Sequence, residues 1–183
     1  MRLIALCSPA MGSGKSTAAE YLVEHHGFIR VAFATPLKRT AEALLQATGM
    51  PANEIVDRVY GDRKEELLPV FDITSRKLQQ LLGTEFGRDL IRPSIWVDLA
   101  MANVARFRSL GHPVVIDDMR FPNEYDAVQA AGGDCYRIVR PEATVTRAHA
   151  SEGQLDGVHM QEIWNTASVE DLLRAVDARI FAA

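Results

Sequence analysis

The run Ser8-Pro9-Ala10-Met11-Gly12-Ser13-Gly14-Lys15-Ser16-Thr17 lies between an apolar stretch, Leu3-Ile4-Ala5-Leu6-Cys7, and the start of a helical pattern. Small residues in such a loop let backbone N–H groups ring a phosphate, and the helix N-terminus behind them adds partial positive charge. From its place in the loop Lys15 can reach β- and γ-phosphate oxygens, and the Ser16 hydroxyl can hold Mg²⁺. Gly12, Ser13, Gly14, Lys15, Ser16 and Thr17 are therefore the residues expected to bind a nucleoside triphosphate. Pro9 stands where the pattern G-x-x-x-x-G-K-[ST] has its first glycine. Proline fixes φ and lacks a donor, so the loop entrance must be built differently, while the amides nearest the β-phosphate remain.

A second chemical feature is the apolar strand Val114-Val115-Ile116 ending in Asp117 and Asp118. P-loop enzymes place an acid near Mg²⁺ or its waters in this way, so either aspartate can be the metal-side acid; a plain turn is the competing reading. Arg120 follows within Arg120-Phe121-Pro122-Asn123-Glu124, and its fork could neutralise transferring phosphoryl oxygens. Further cations gather at expected strand ends and helix starts: Lys38 with Arg39, Arg76 with Lys77, Arg88 with Arg92, and Arg137 with Arg140 and Arg147. Each could be an ordinary solvated charge, but their repetition favours phosphate binding, because two nucleotides bring several phosphates to neutralise. Trp96 either stacks on a base or belongs to the core.

Positioning these groups requires alternating strands and helices. Strands are expected at 2–7, 28–33, 113–116, 135–139 and 161–164, and helices at 17–25, 36–48, 75–86, 96–110 and 123–131, with a last helix opened by Ser168-Val169-Glu170-Asp171. That alternation is an α/β architecture with a mainly parallel sheet flanked by helices. Residues 51–75, of mixed charge, read as an irregular insertion, and the polar segment 141–158 as a lid.

At 183 residues and a net charge of −4 the chain is long enough for one domain and carries no general attraction for polyanions, which argues against nucleic acid as a partner. No apolar run approaches the ~20 residues of a membrane span, so no membrane partner and a cytoplasmic protein are expected. Cys7 and Cys135 read as reduced, buried thiols, and the scattered His25, His26, His149 and His159 do not suggest a metal cage. A homodimer is the default assembly.

Four blocks together carry a resemblance: Gly12 to Thr17; Phe33-Ala34-Thr35-Pro36-Leu37-Lys38; the long run Thr74-Ser75-Arg76-Lys77-Leu78-Gln79-Gln80-Leu81-Leu82-Gly83-Thr84-Glu85-Phe86-Gly87-Arg88; and Asp117-Asp118-Met119-Arg120-Phe121-Pro122-Asn123-Glu124. His149-Ala150-Ser151-Glu152 and Asn165 add to them. Over most of its length the chain resembles the bacteriophage deoxynucleoside monophosphate kinases. The resemblance implies an adenylate-kinase-like P-loop fold in one kinase domain over 1–183, with a helical monophosphate-binding region at about 36–98 and a lid at about 141–158. It implies the reaction ATP + dNMP → ADP + dNDP in deoxynucleotide synthesis, in the host cytoplasm if the gene is a phage's. By position, Gly14, Lys15, Ser16 and Thr17 would hold ATP with Mg²⁺. Lys38, Arg76 and Arg88 would hold the monophosphate, Arg120 and Arg140 the transferring group, and Trp96 would fall near the base. The family commonly has aspartate where this chain has Thr35 and Ser16, and Ser16 moves the loop toward ordinary P-loop chemistry. Competing readings are a kinase of a modified base within DNA, a kinase of another small molecule such as a coenzyme precursor, and an ATP-binding regulatory protein.

Overall fold

A computed structural model of the chain describes residues 1–10, 12–141 and 153–181. They form two compact units, one made of 1–32 with 101–183 and the other of 33–100.

The first unit is built on five parallel strands, β1 (Leu3–Cys7), β2 (Ile29–Val31), β5 (Val114–Ile116), β6 (Asp134–Val139) and β7 (Gln161–Trp164), in the order β2-β5-β1-β6-β7. A parallel strand covered on both faces must be apolar throughout rather than alternating, and β1 and β5 are buried at every residue. Register sets Ile4 beside Val115 on one side of β1 and Ala5 beside Cys135 on the other. The ends of β1, β5 and β6 therefore converge on one edge.

Helix α1 (Lys15–His26) follows β1 and stops at Gly27, whose φ of 67° lets its N–H return to the Leu22 carbonyl. Helix α7 (Val169–Ile180) opens on Ser168, whose hydroxyl accepts from the Asp171 amide while Asp171 reaches back to Ser168. Ala18, Ala19 and Leu22 of α1 and Leu172, Val176 and Ile180 of α7 share a core with Ile4, Val115 and Ile138. Helix α6 (Pro122–Ala130) comes between β5 and β6, with Val128 fully buried.

The second unit contains α2 (Thr35–Gln46), α3 (Ala52–Val59), a short hairpin of β3 (Leu67–Leu68) and β4 (Ile73–Thr74), and α4 (Ser75–Leu81). α4 runs on as a π-helical segment, Leu82–Ile91, and the unit takes in the start of α5 (Ile95–Ser109). The expectation of an irregular insertion at 51–75 is corrected here. Ile55 and Val59, one helical turn apart, join Leu45, Leu68 and Leu78 in the core, and buried Arg58 donates to Glu54 at 2.9 Å and to the Leu67 carbonyl at 3.1 Å. The helix expected over 75–86 likewise changes form, keeping its α geometry only to Leu81.

Candidate functional site

The phosphate loop depends on glycine at two places. Gly12 has φ 68° and Gly14 has φ 102°, both in the left-handed region that side chains with a Cβ avoid. At Gly14 space is also short, since an added Cβ would lie 2.6 Å from Leu172 Cδ2 and 2.9 Å from Asn165 Nδ2. The entrance at Pro9 is built from Ser8, whose hydroxyl accepts from the Ala10 amide at 3.2 Å and donates to the Ala10 carbonyl at 3.1 Å. Two side chains hold the loop from outside. Asn165 donates to the Ser13 carbonyl at 2.9 Å, and Arg140 donates to the Gly12 carbonyl at 3.1 Å.

Beside the loop, at the carboxyl ends of β1, β5 and β6, lies a half-open crevice. Cys7, Lys15, Arg120 and Arg137 line it, with Leu155 and Asp156 on a further wall. Burial, followed by the charge of Arg120, pushes the Lys15 ammonium below its ordinary lysine value, and its Nζ donates to Ser13 Oγ at 3.5 Å. Arg120 is exposed, while its amide and that of Phe121 donate to buried Glu124 at 2.7 and 3.0 Å. Arg137 donates to the carbonyls of Leu155 and Val158, at 2.6 and 2.9 Å, so its guanidinium ties down segment 153–158 rather than standing as a spare cation.

Of the two aspartates, Asp117 faces the loop. It is 6% exposed, and Ser16 Oγ donates to its Oδ2 over 3.5 Å. Arg30 grips the same carboxylate from β2, Nε donating to Oδ1 at 3.1 Å and Nη2 to Oδ2. Asp118 is more exposed. The two hard oxygens of Ser16 and Asp117 fit a small divalent cation, because neighbouring ligands of octahedral Mg²⁺, bound at about 2 Å, sit ~3 Å apart.

The cations expected for the monophosphate lie in the second unit. Lys38 holds its ammonium 4.9 Å above the Tyr60 ring. Arg76 is exposed and ion-paired with Glu65, and Arg88 is half-buried. Of the two places open to Trp96, the structure gives it the packed one: it is 7% exposed, its indole N–H donates to the Gly83 carbonyl at 2.8 Å, and its ring comes within 2.5 Å of where a Cβ on Gly87 would lie. It is core. Arg147, His149 and Glu152, with most of the expected lid, lie outside the described residues.

The deoxynucleotide monophosphate kinase family profile matches residues 53–176. A protein of Acanthamoeba polyphaga mimivirus named for deoxynucleotide monophosphate kinase activity is 32% identical over 164 residues, 83% of this chain and 81% of that one. The chain belongs to this family. The deoxynucleoside-5'-monophosphate kinase of Escherichia phage T5 is 37% identical over 67 residues, 37% of this chain and 26% of that one. Among solved structures, the dephospho-CoA kinase of Campylobacter jejuni has a TM-score of 0.53 at 15% identity, covering 98% of this chain and 96% of its own. TT1252 of Thermus thermophilus has a TM-score of 0.50 at 18% identity, with the same coverage. Those likenesses are of fold alone, an α/β architecture with a parallel sheet flanked by helices. Membership makes the protein a nucleoside monophosphate kinase with ATP as phosphate donor and a small-molecule nucleotide as acceptor. Among the described residues, no helix is long and apolar enough to cross a membrane.

Proposed function

We propose that the protein transfers the γ-phosphoryl group of ATP to a deoxynucleoside monophosphate, giving ADP and the deoxynucleoside diphosphate. One observation carries the residue assignments: Lys15 and Arg120 line one crevice, and after burial the charge of Arg120 is what holds the Lys15 ammonium below its ordinary value. A polyanion between them relieves that repulsion, and a transferring phosphoryl group is such an anion.

In this reading the amides of residues 12–17 and the Lys15 ammonium hold the β- and γ-phosphates. Arg120 and Arg140 neutralise the equatorial oxygens as the acceptor approaches in line with the bond that breaks. One Arg140 nitrogen donates to the Gly12 carbonyl, which sets its guanidinium beside the loop. Lys38, Arg76 and Arg88 serve the monophosphate in the second unit. Ser16 and Asp117, with Asp118 in a lesser part, would hold Mg²⁺, which would supply positive charge against the phosphates of the nucleotide. The reading extends to the cytoplasm, the host's for a phage gene, and to a homodimer as the default assembly. Names of the relatives refer to monophosphates, which favours this reading over a DNA-level kinase or an ATP-binding regulator.

The test is ADP release from ATP and Mg²⁺ with each deoxynucleoside monophosphate in turn, ribonucleotides and duplex DNA serving as controls. Stimulation by one or more free monophosphates is expected. Silence with all of them, while ATP still binds, would refute the proposal.

A further inference from the structure

Arg30 reaches the nucleotide site from β2, outside the loop and the β5 motif. Its strand, β2, pairs in register with β5, setting Arg30 beside Val115 and Val31 beside Ile116. The guanidinium thus lies alongside the point where β5 gives way to Asp117. Nε and Nη2 each meet a different oxygen of the Asp117 carboxylate, a two-pronged pairing that fixes the plane of the carboxylate as well as its charge. Glu20 of α1 steadies the arginine from behind at 3.6 Å. Asp117 is almost fully buried whereas Arg30 is 40% exposed, so the aspartate depends on the pair more than the arginine does. With each oxygen engaged, the lone pairs still open on Oδ2 are directed by the pair, and Ser16 Oγ lies on that side at 3.5 Å.

We propose that Arg30 is a positioning residue of the nucleotide-metal site: its fork sets the orientation in which Asp117 presents an oxygen toward Ser16, and so sets the affinity for the divalent cation that accompanies ATP. The inference rests on the reading that Ser16 and Asp117 hold that cation. Groups that orient a metal ligand typically govern ~10- to 100-fold in metal affinity, and Arg30 falls in that class.

The experiment is Mn²⁺ binding followed by electron paramagnetic resonance, with a non-hydrolysable ATP analogue present, for the full-length protein and the variants Arg30→Met, Arg30→Lys and Asp117→Asn. Thermal unfolding of each is recorded alongside. Expected are a ~10- to 100-fold weaker Mn²⁺ affinity in Arg30→Met and a partial recovery in Arg30→Lys, which keeps the charge but not the fork. Unchanged or tighter Mn²⁺ binding in a folded Arg30→Met, together with weakened binding in Asp117→Asn, overturns the proposal and leaves the metal reading standing. Unchanged binding in a folded Asp117→Asn overturns the metal reading, and the proposal with it. If Arg30→Met does not fold, Arg30→Lys decides: an affinity equal to that of the parent protein excludes a role for the fork.

Discussion

Asn165 donates from its side-chain amide to the carbonyl of Ser13 over 2.9 Å, joining the segment before the last helix to a loop 152 positions earlier in the chain. Asn165 is 8% exposed, so water does not readily replace the bond. Asn165→Ala is expected to cost ~1–3 kcal/mol of stability, the usual range for a buried group left without its partner. Loosening the loop also displaces the amides that face the phosphates, and kcat/KM for ATP should fall ~10- to 100-fold. Denaturant unfolding and ATP kinetics check both.

Lys15 gives opposite signs for activity and stability. Without its cation the transferring charge is less well stabilised, and Lys15→Met should lose at least ~100-fold in turnover. The same ammonium is held below its ordinary value by burial, so the unfolded chain binds its proton more tightly than the folded one. Below the lowered folded value the group therefore subtracts from stability, and the deficit is relieved as pH rises toward the ordinary lysine range. Lys15→Met should melt higher than the parent at pH 7, and the difference should shrink in alkaline buffer.

Trp96 separates packing from base recognition. Trp96→Ala should cost ~3–5 kcal/mol, as the loss of a large buried ring does. Trp96→Phe should lower the melting temperature and leave KM for the monophosphate unchanged. A raised KM with unaltered melting would restore the base-stacking role.

Arg76 should behave in the reverse way. Its ion pair with Glu65 is exposed at both ends and contributes little to stability. Arg76→Ala is expected to melt as the parent does while raising KM for the monophosphate ~10-fold or more, the loss that follows from removing one charge-assisted hydrogen bond. Unchanged KM for every accepted monophosphate would remove Arg76 from the acceptor site.

What could be read in advance followed from short-range physics. Val114-Val115-Ile116 is apolar at every position because a parallel strand is covered on both faces, and β7 came out at Gln161–Trp164 as expected. Ser168 and Asp171 announced the last helix by their spacing alone. Helix α3 escaped because its buried stripe is Ile55, Arg58 and Val59 in a stretch of mixed charge, and an arginine inside a core is intelligible only once Glu54 and the Leu67 carbonyl are seen to receive it. The helix beyond Leu81 widened into π form where Gly87 admits the Trp96 ring, a tertiary contact with no local signal. Site residues divide along the same line. Lys15, Ser16 and Asp117 belong to contiguous patterns. Arg30 meets Asp117 across 87 positions, and nothing in the residues around Arg30 marks it as different from any other arginine on a strand.

Cys7 closes the floor of the crevice beside Lys15, only 3% exposed, with its S–H directed at the Met160 sulfur at 3.2 Å. Burial pushes its thiol up to about 11, so at neutral pH it holds almost no thiolate. For inhibitor chemistry, a cysteine a few residues from a nucleotide's phosphates invites an electrophilic warhead, and in this protein that sulfur is too poor a nucleophile to accept one. Selective ligands for the crevice must gain their residence time from anionic groups that meet Lys15 and Arg120 reversibly, and the enzyme should keep its activity through alkylating reagents and mild oxidation.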